Sequence, residues 1–148
     1  MRTICETDGE QTAFILAELE PQYHQVAHDL AYTPHPKGFA KLYPADTPGL
    51  AQIYRHFASS AEALILQAAR VVPVPWEQAL HTFLDIVADE ALDWWLGGSA
   101  ALAVRGLPIT PRDFDLIVDD HTAQRLGICL FDHLIEPVLP VQGWFCRW

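Results

Sequence analysis

Two aspartates, Asp113 and Asp115, flank a single phenylalanine, and a Gly97-Gly98-Ser99 step lies upstream of them. In an extended strand, residues two apart share a face, so the two carboxylates project together while Phe114 turns toward a core. Adjacent carboxylates repel one another and add little stability alone. A divalent cation between them makes the pair favourable, and hard oxygen ligands suit Mg2+ or Mn2+. Gly97 and Gly98 let the backbone approach a ligand closely. Ser99 is placed to cap the next helix, whose first N–H groups favour an anion. Without the glycines, the aspartates would read as a solvated strand face. Without the aspartates, the glycines would read as an ordinary turn. Their combination points to a phosphate held beside a metal.

These residues need a particular scaffold. Leu92–Leu96 predicts a short aromatic-rich strand running into the glycine turn, and Ala100–Arg105 a short helix. Gly106–Arg112, with Pro108 and Pro111, is a loop that returns the chain. Phe114–Val118 then forms a second strand beside the first. Asp119 or Asp120 caps a helix carrying Ala123, Leu126, Leu130 and Phe131, and Ile135–Leu139 is a third strand weakened by Pro137. Arg105 and Arg112 are placed either to neutralise phosphate or to pair with Asp113 or Asp120.

The N-terminal half reads as support. Gln11–Glu20 suggests a short helix with Phe14, Ile15 and Leu19 on one side, and Tyr32–Pro48 a loop or linker broken by four prolines. Thr47 as cap and Pro48 as first helical residue predict a long helix. Its apolar face is Leu50, Ile53, Tyr54, Phe57, Ala61, Leu64, Ile65 and Ala68. A further helix from Trp76 carries Leu80, Phe83, Leu84 and Val87. His24 and His28 lie four apart, but without an acidic partner in their turn they read as structural.

The ordered segment Gly97-Gly98-Ser99, Arg105-Gly106-Leu107-Pro108, Thr110-Pro111-Arg112-Asp113-Phe114-Asp115-Leu116-Ile117-Val118-Asp119 resembles the minimal nucleotidyltransferase superfamily, closest to its AbiEii toxin-type branch. The resemblance covers residues 76–148. It implies an α+β fold, a small mixed sheet flanked by helices, to which the helical and loop-rich region read over residues 1–75 is an N-terminal extension. It further implies that Gly97, Gly98 and Ser99 bind the phosphates of an NTP, and that Asp113 and Asp115 ligate Mg2+ or Mn2+ and carry the catalysis; the residue types themselves add Arg112 to the phosphate-binding set. The reaction would move an NMP group to an acceptor that the sequence does not identify, with pyrophosphate leaving.

One departure stands out. The superfamily supplies a third carboxylate from a later strand, and Glu136 is the only acid in the last strand candidate. The aromatic stretch Trp144–Trp148 reads as core material or as a surface for self-association or a partner chain, and the domain as incomplete at that end. A degenerate fold, serving as a non-catalytic nucleotide-binding or protein-interaction module, is the alternative. Phosphatases and glycosyltransferases with Asp-x-Asp are disfavoured, because there the apolar strand precedes the acids, whereas here it follows them.

Bulk properties set outer limits. The chain has 148 residues, a formal net charge of -10 and 51% hydrophobic residues. That is enough apolar material for a core, and the acidic balance argues against broad nucleic-acid binding. Three scattered cysteines indicate neither a disulfide framework nor a zinc knuckle. The polar, acidic N-terminus and the lack of a bilayer-length apolar run lead to the expectation of a cytoplasmic protein with no membrane partner.

Overall fold

The computed structural model describes residues 1–141 and 145–147. The fold is α+β, and every strand pairing among the described residues is antiparallel, so the expected mixed sheet is corrected to an antiparallel one. The chain divides into two units. The first is Met1–Val72 with Asp132–Pro137, and the second is Pro73–Phe131 with Val138–Trp148.

The first unit overturns the helical and loop-rich reading of the N-terminal region. Strands β1 (Arg2–Asp8), β2 (Gln11–Ala17), β3 (Thr33–His35) and β4 (Gly38–Pro44) form one sheet in the order β1-β2-β4-β3. Asp8 pairs with Gln11 across a two-residue turn at Gly9–Glu10, and Gly9 holds φ 59, the positive value a tight hairpin turn requires. The expected helix over Gln11–Glu20 is therefore β2. Its residues Thr12–Ala17 are buried on both faces, which erases the alternation that marks a half-exposed strand. The expected linker over Tyr32–Pro48 is largely the β3–β4 hairpin. Pro34 is tolerated there because β3 is an edge strand bonded only to β4.

Helix α1 (His24–Asp29) and the long α2 (Leu50–Ala68) follow the first two and the fourth strands respectively. Leu50, Ile53, Phe57, Ala61 and Ile65 of α2 are buried, as their spacing predicts. The cap differs: Gly49, at φ 76, occupies the N-cap position in place of Thr47. Phe14 of β2 meets Tyr54 and Phe57 of α2, with ring centroids 5.2 and 5.5 Å apart. His24 and His28 both pack on Phe39 of β4, and His24 Nε2 also lies 3.2 Å from the Leu19 carbonyl oxygen. Their helical spacing thus builds a structural aromatic cluster.

The segment Asp132–Pro137 is bound to this unit by three polar contacts. Gln52 donates to Asp132, His56 Nδ1 lies 3.1 Å from the Leu134 carbonyl oxygen, and Lys41 pairs with Glu136. The Lys41 ammonium also sits 4.6 Å above the centre of the Tyr32 ring. Burial first, then the charge of Glu136, raises the hydroxyl pKa values of Tyr32 and Tyr43 above the ordinary 10.0, and for Tyr43 the neighbouring Tyr32 adds to the rise. The folded state thus holds these protons more tightly than the unfolded chain. The resulting stability is fully present below pH 10 and is lost as pH climbs above that value. The denaturant midpoint is expected to fall steeply in this alkaline range and less steeply in Tyr43→Phe. Identical slopes in the two proteins would refute the assignment to Tyr43.

The second unit contains α3 (Trp76–Val87), β5 (Trp95–Leu96), α4 (Gly98–Ala103), β6 (Leu116–Ile117), α5 (Asp120–Cys129), β7 (Leu139–Val141) and β8 (Phe145–Arg147). Phe83 and Val87 of α3 are buried, whereas Leu84, expected on the same stripe, is exposed. The strands β5 and β6 pair as expected. The third strand does not join them: it begins at Leu139 and pairs with β8. Ile135 and Glu136, expected at its start, lie in a bend of the segment that belongs to the first unit. Within the expected aromatic terminal stretch, Phe145–Arg147 forms β8, while Trp144 and Trp148 lie outside the described residues. No helix among the described residues is long and apolar enough to cross a membrane.

Candidate functional site

The glycine turn and the second aspartate meet. The N–H of Gly97 donates to the main-chain carbonyl of Asp115 at 2.8 Å, extending the ladder that pairs Trp95 with Ile117 and Leu96 with Leu116. Gly98 then turns sharply, with φ 56, a left-handed value that disfavours any residue with a Cβ. A second reason for glycine lies across the ribbon. A Cβ at Gly98 would collide with the Asp115 carboxylate, and a Cβ at Gly97 would come within 3.3 Å of Ile117 Cδ1 and 3.5 Å of Asp115 Cβ. The two glycines thus make room for the Asp115 side chain.

The strand parity expected for Asp-x-Asp is present in the exposure pattern. Asp113, Asp115 and Ile117 are exposed, while Phe114, Leu116 and Val118 are half-buried. Phe114 faces Phe83 of α3, ring centroids 5.8 Å apart, and Trp94 meets the same ring edge-on at 5.0 Å. The regular strand is shorter than expected, however. Asp113 lies in a bend and Asp115 just before β6. Pro111, fully buried, anchors the loop that delivers them. Neither aspartate forms an ion pair with a described residue, and neither Arg105 nor Arg112 pairs with Asp113 or Asp120. Arg112 is exposed beside Asp113 in sequence, and its guanidinium is left available to an anion.

Two residues take different roles from those expected. Gly97 is the N-cap of α4 and no side chain caps it, so Ser99 sits within the first turn and its hydroxyl is not the cap. The helix starts earlier because Gly98 itself supplies the turn. Glu136, considered as a third carboxylate, belongs to the first unit and is ion-paired with Lys41. Among the described residues no group of three or more His, Cys, Asp or Glu side chains is arranged to hold a metal ion. Asp113 and Asp115 are thus a two-carboxylate set of hard oxygen donors. That chemistry fits Mg2+ or Mn2+ only where a ligand adds oxygens of its own.

Asp119 is the N-cap of α5, accepting from the Thr122 N–H at 2.7 Å, which holds its carboxyl below the usual range. On the far side of α5, Gly127 lets the helix approach Val138, whose Cβ would be 3.3 Å from a Cβ placed at that position. This acid is therefore committed to structure, which separates it from the candidate site. Compared with family models, curated proteins and solved structures, the chain shows no match.

Proposed function

We propose that the turn at Gly97–Ser99 and the acids Asp113 and Asp115 bind a nucleoside triphosphate together with Mg2+ or Mn2+, and that the chemistry available there is nucleotidyl transfer. The observation that carries this reading is the placement of the Asp115 carboxylate against Gly98. A phosphate approaching the backbone of that turn meets a carboxylate already there. Two anions at such separation repel, and a divalent cation between them reverses the sign. Nucleotide affinity is accordingly metal-dependent.

When bound, the cation would neutralise phosphate charge and orient the α-phosphorus for in-line attack. The chain's own residues do the positioning: the Gly97 and Gly98 backbone admits the phosphates, Arg112 and Ser99 contact them, and Asp113 and Asp115 hold the metal side. In the transfer itself, an acceptor oxygen bonds to the α-phosphorus, the bond to the bridging oxygen breaks, and pyrophosphate departs.

A second reading, a nucleotide-binding or interaction module that does not turn over, is favoured by one specific observation. Glu136 is engaged by Lys41, which removes the acid considered as a third ligand. Titration calorimetry with ATP, GTP, CTP and UTP, with and without Mg2+, tests the shared part of both readings. Asp113→Asn and Asp115→Asn are each expected to weaken metal-dependent binding by about tenfold or more, about 1.4 kcal/mol, since each replaces one of the two anionic oxygen ligands of the cation by a neutral one. Ser99→Ala removes no cap, so a loss of affinity there reports a phosphate contact alone. Equal affinity in the wild type and both aspartate variants would overturn the site. Pyrophosphate release then separates the readings: steady release supports transfer, and binding without release supports the module.

A further inference from the structure

Trp95 is 65% exposed and Ile117, its cross-strand partner, 60% exposed, although each belongs to a paired strand. The neighbouring Trp94 is turned inward against Phe83. An aromatic–branched pair of this kind stabilises a ribbon by packing, but that role does not require so much of the indole to face water. Its position narrows the possibilities. Trp95 and Ile117 stand on the same face of the β5–β6 ribbon as Gly97 and Asp115, one pleat further along. Diagonal neighbours on one face of an antiparallel pair lie about 7–8 Å apart. The sugar of a nucleotide bridges that kind of interval between its phosphates and its base. The row therefore presents, in order, the Asp115 carboxylate for a metal–phosphate group and then an open π-face.

We propose that Trp95, flanked by Ile117, is the platform on which the nucleobase of the bound nucleotide stacks. This rests on the metal–triphosphate reading above and names the second half of the same ligand. Stacking on an indole is tolerant of base identity, because every base has a π-face. The site would then recognise nucleotides as a class and discriminate weakly among the four bases. Arg112 is exposed and precedes Asp113 in the chain, so it would serve phosphate and leave base selection untouched.

The test compares a ligand with a base against one without. Mg2+-dependent binding of ATP and of inorganic tripolyphosphate is measured by calorimetry for the wild type, Trp95→Phe and Trp95→Leu, with thermal unfolding as the check on folding. The leucine variant keeps an apolar cross-strand partner for Ile117 and removes the ring. The wild type is expected to prefer ATP by about tenfold, the lower part of the range for one stacked base. Trp95→Phe should retain most of that preference. Trp95→Leu should bring the ratio close to one with tripolyphosphate affinity unchanged.

Should ATP and tripolyphosphate bind the wild type equally, the platform is wrong while the metal–phosphate site stands. An unchanged preference in Trp95→Leu leads to the same conclusion. If ATP binds without metal yet loses affinity in Trp95→Leu, stacking survives and the metal–phosphate reading falls. Binding of neither ligand overturns both. Self-association that depends on Trp95, with an unaltered ligand ratio, would assign the patch to a second copy of the chain and overturn the stacking role.

Discussion

Gly98→Ala is expected to abolish metal-dependent triphosphate binding and to lower stability by about 1–2 kcal/mol, the penalty for placing an L-residue with a Cβ in the left-handed region. The backbone at Gly98 holds φ 56, and the added methyl would also meet the Asp115 carboxylate. Two consequences follow from one atom. The turn is strained, and Asp115 must leave the position in which it faces the turn. Asp115→Ala separates them. In that background the methyl has no carboxylate to displace, so Gly98→Ala should retain the backbone penalty and lose the steric one. Denaturant unfolding of the four proteins in the cycle measures the difference as a coupling, expected in the range of about 0.5–3 kcal/mol for residues in contact. Strict additivity would mean that the carboxylate does not lie where it is placed. Retained Mg2+-dependent binding by Gly98→Ala would remove the central support for the proposed function.

The site was easier to read from the sequence than the half of the chain that accompanies it, and the reasons are physical. The glycines, the aspartates and the proline loop are residues with few alternative uses at that spacing. Their local consequences, a tight turn, a short helix and a return strand, follow from backbone sterics alone. The alternation of Asp113, Phe114 and Asp115 needs only the period of a strand. The helix from Leu50 announced itself because one stripe of residues is buried and the opposite face is not. By contrast, β2 is buried on both faces, so its sequence carries no period. Asp8-Gly9 was the available signal for a hairpin, since a glycine at that step permits the turn that a two-residue loop demands. The prolines in β3 and β4 suggested a linker because an edge strand cannot be told from a loop without knowing its neighbours. Two of the three caps lie two residues from the expected position, with Gly97 and Gly49 where Ser99 and Thr47 were expected, while Asp119 caps α5 as expected. In both cases a glycine occupies the N-cap position and no side chain caps the helix. The tie from Lys41 to Glu136 joins residues far apart in sequence, and no local pattern reports it.

That tie gives the largest expected effect on stability. Lys41 and Glu136 are paired with side chains only 10% and 14% exposed, and the ammonium also lies over the Tyr32 ring. Glu136→Ala removes a carboxylate from beside an ammonium that is largely withdrawn from water. Breaking a fully buried pair costs about 3–5 kcal/mol. Here the residual exposure lets water reach the remaining charge, and a loss of about 2–3 kcal/mol is expected. The cost arises from taking the carboxylate away from a largely buried ammonium and not from an attraction of that size, because burying both ions already carries a desolvation penalty. Lys41→Met with Glu136→Leu should therefore recover most of the loss, although it removes the same ion pair. Replacing one partner should also release the Asp132–Pro137 segment, which Gln52 and His56 alone would then hold by polar contacts. Hydrogen exchange should show that segment opening in Glu136→Ala before the strands of the sheet do. A Glu136→Ala protein within about 0.5 kcal/mol of the wild type, the range of an ordinary surface change, would show that the pair is solvated and carries no structural weight.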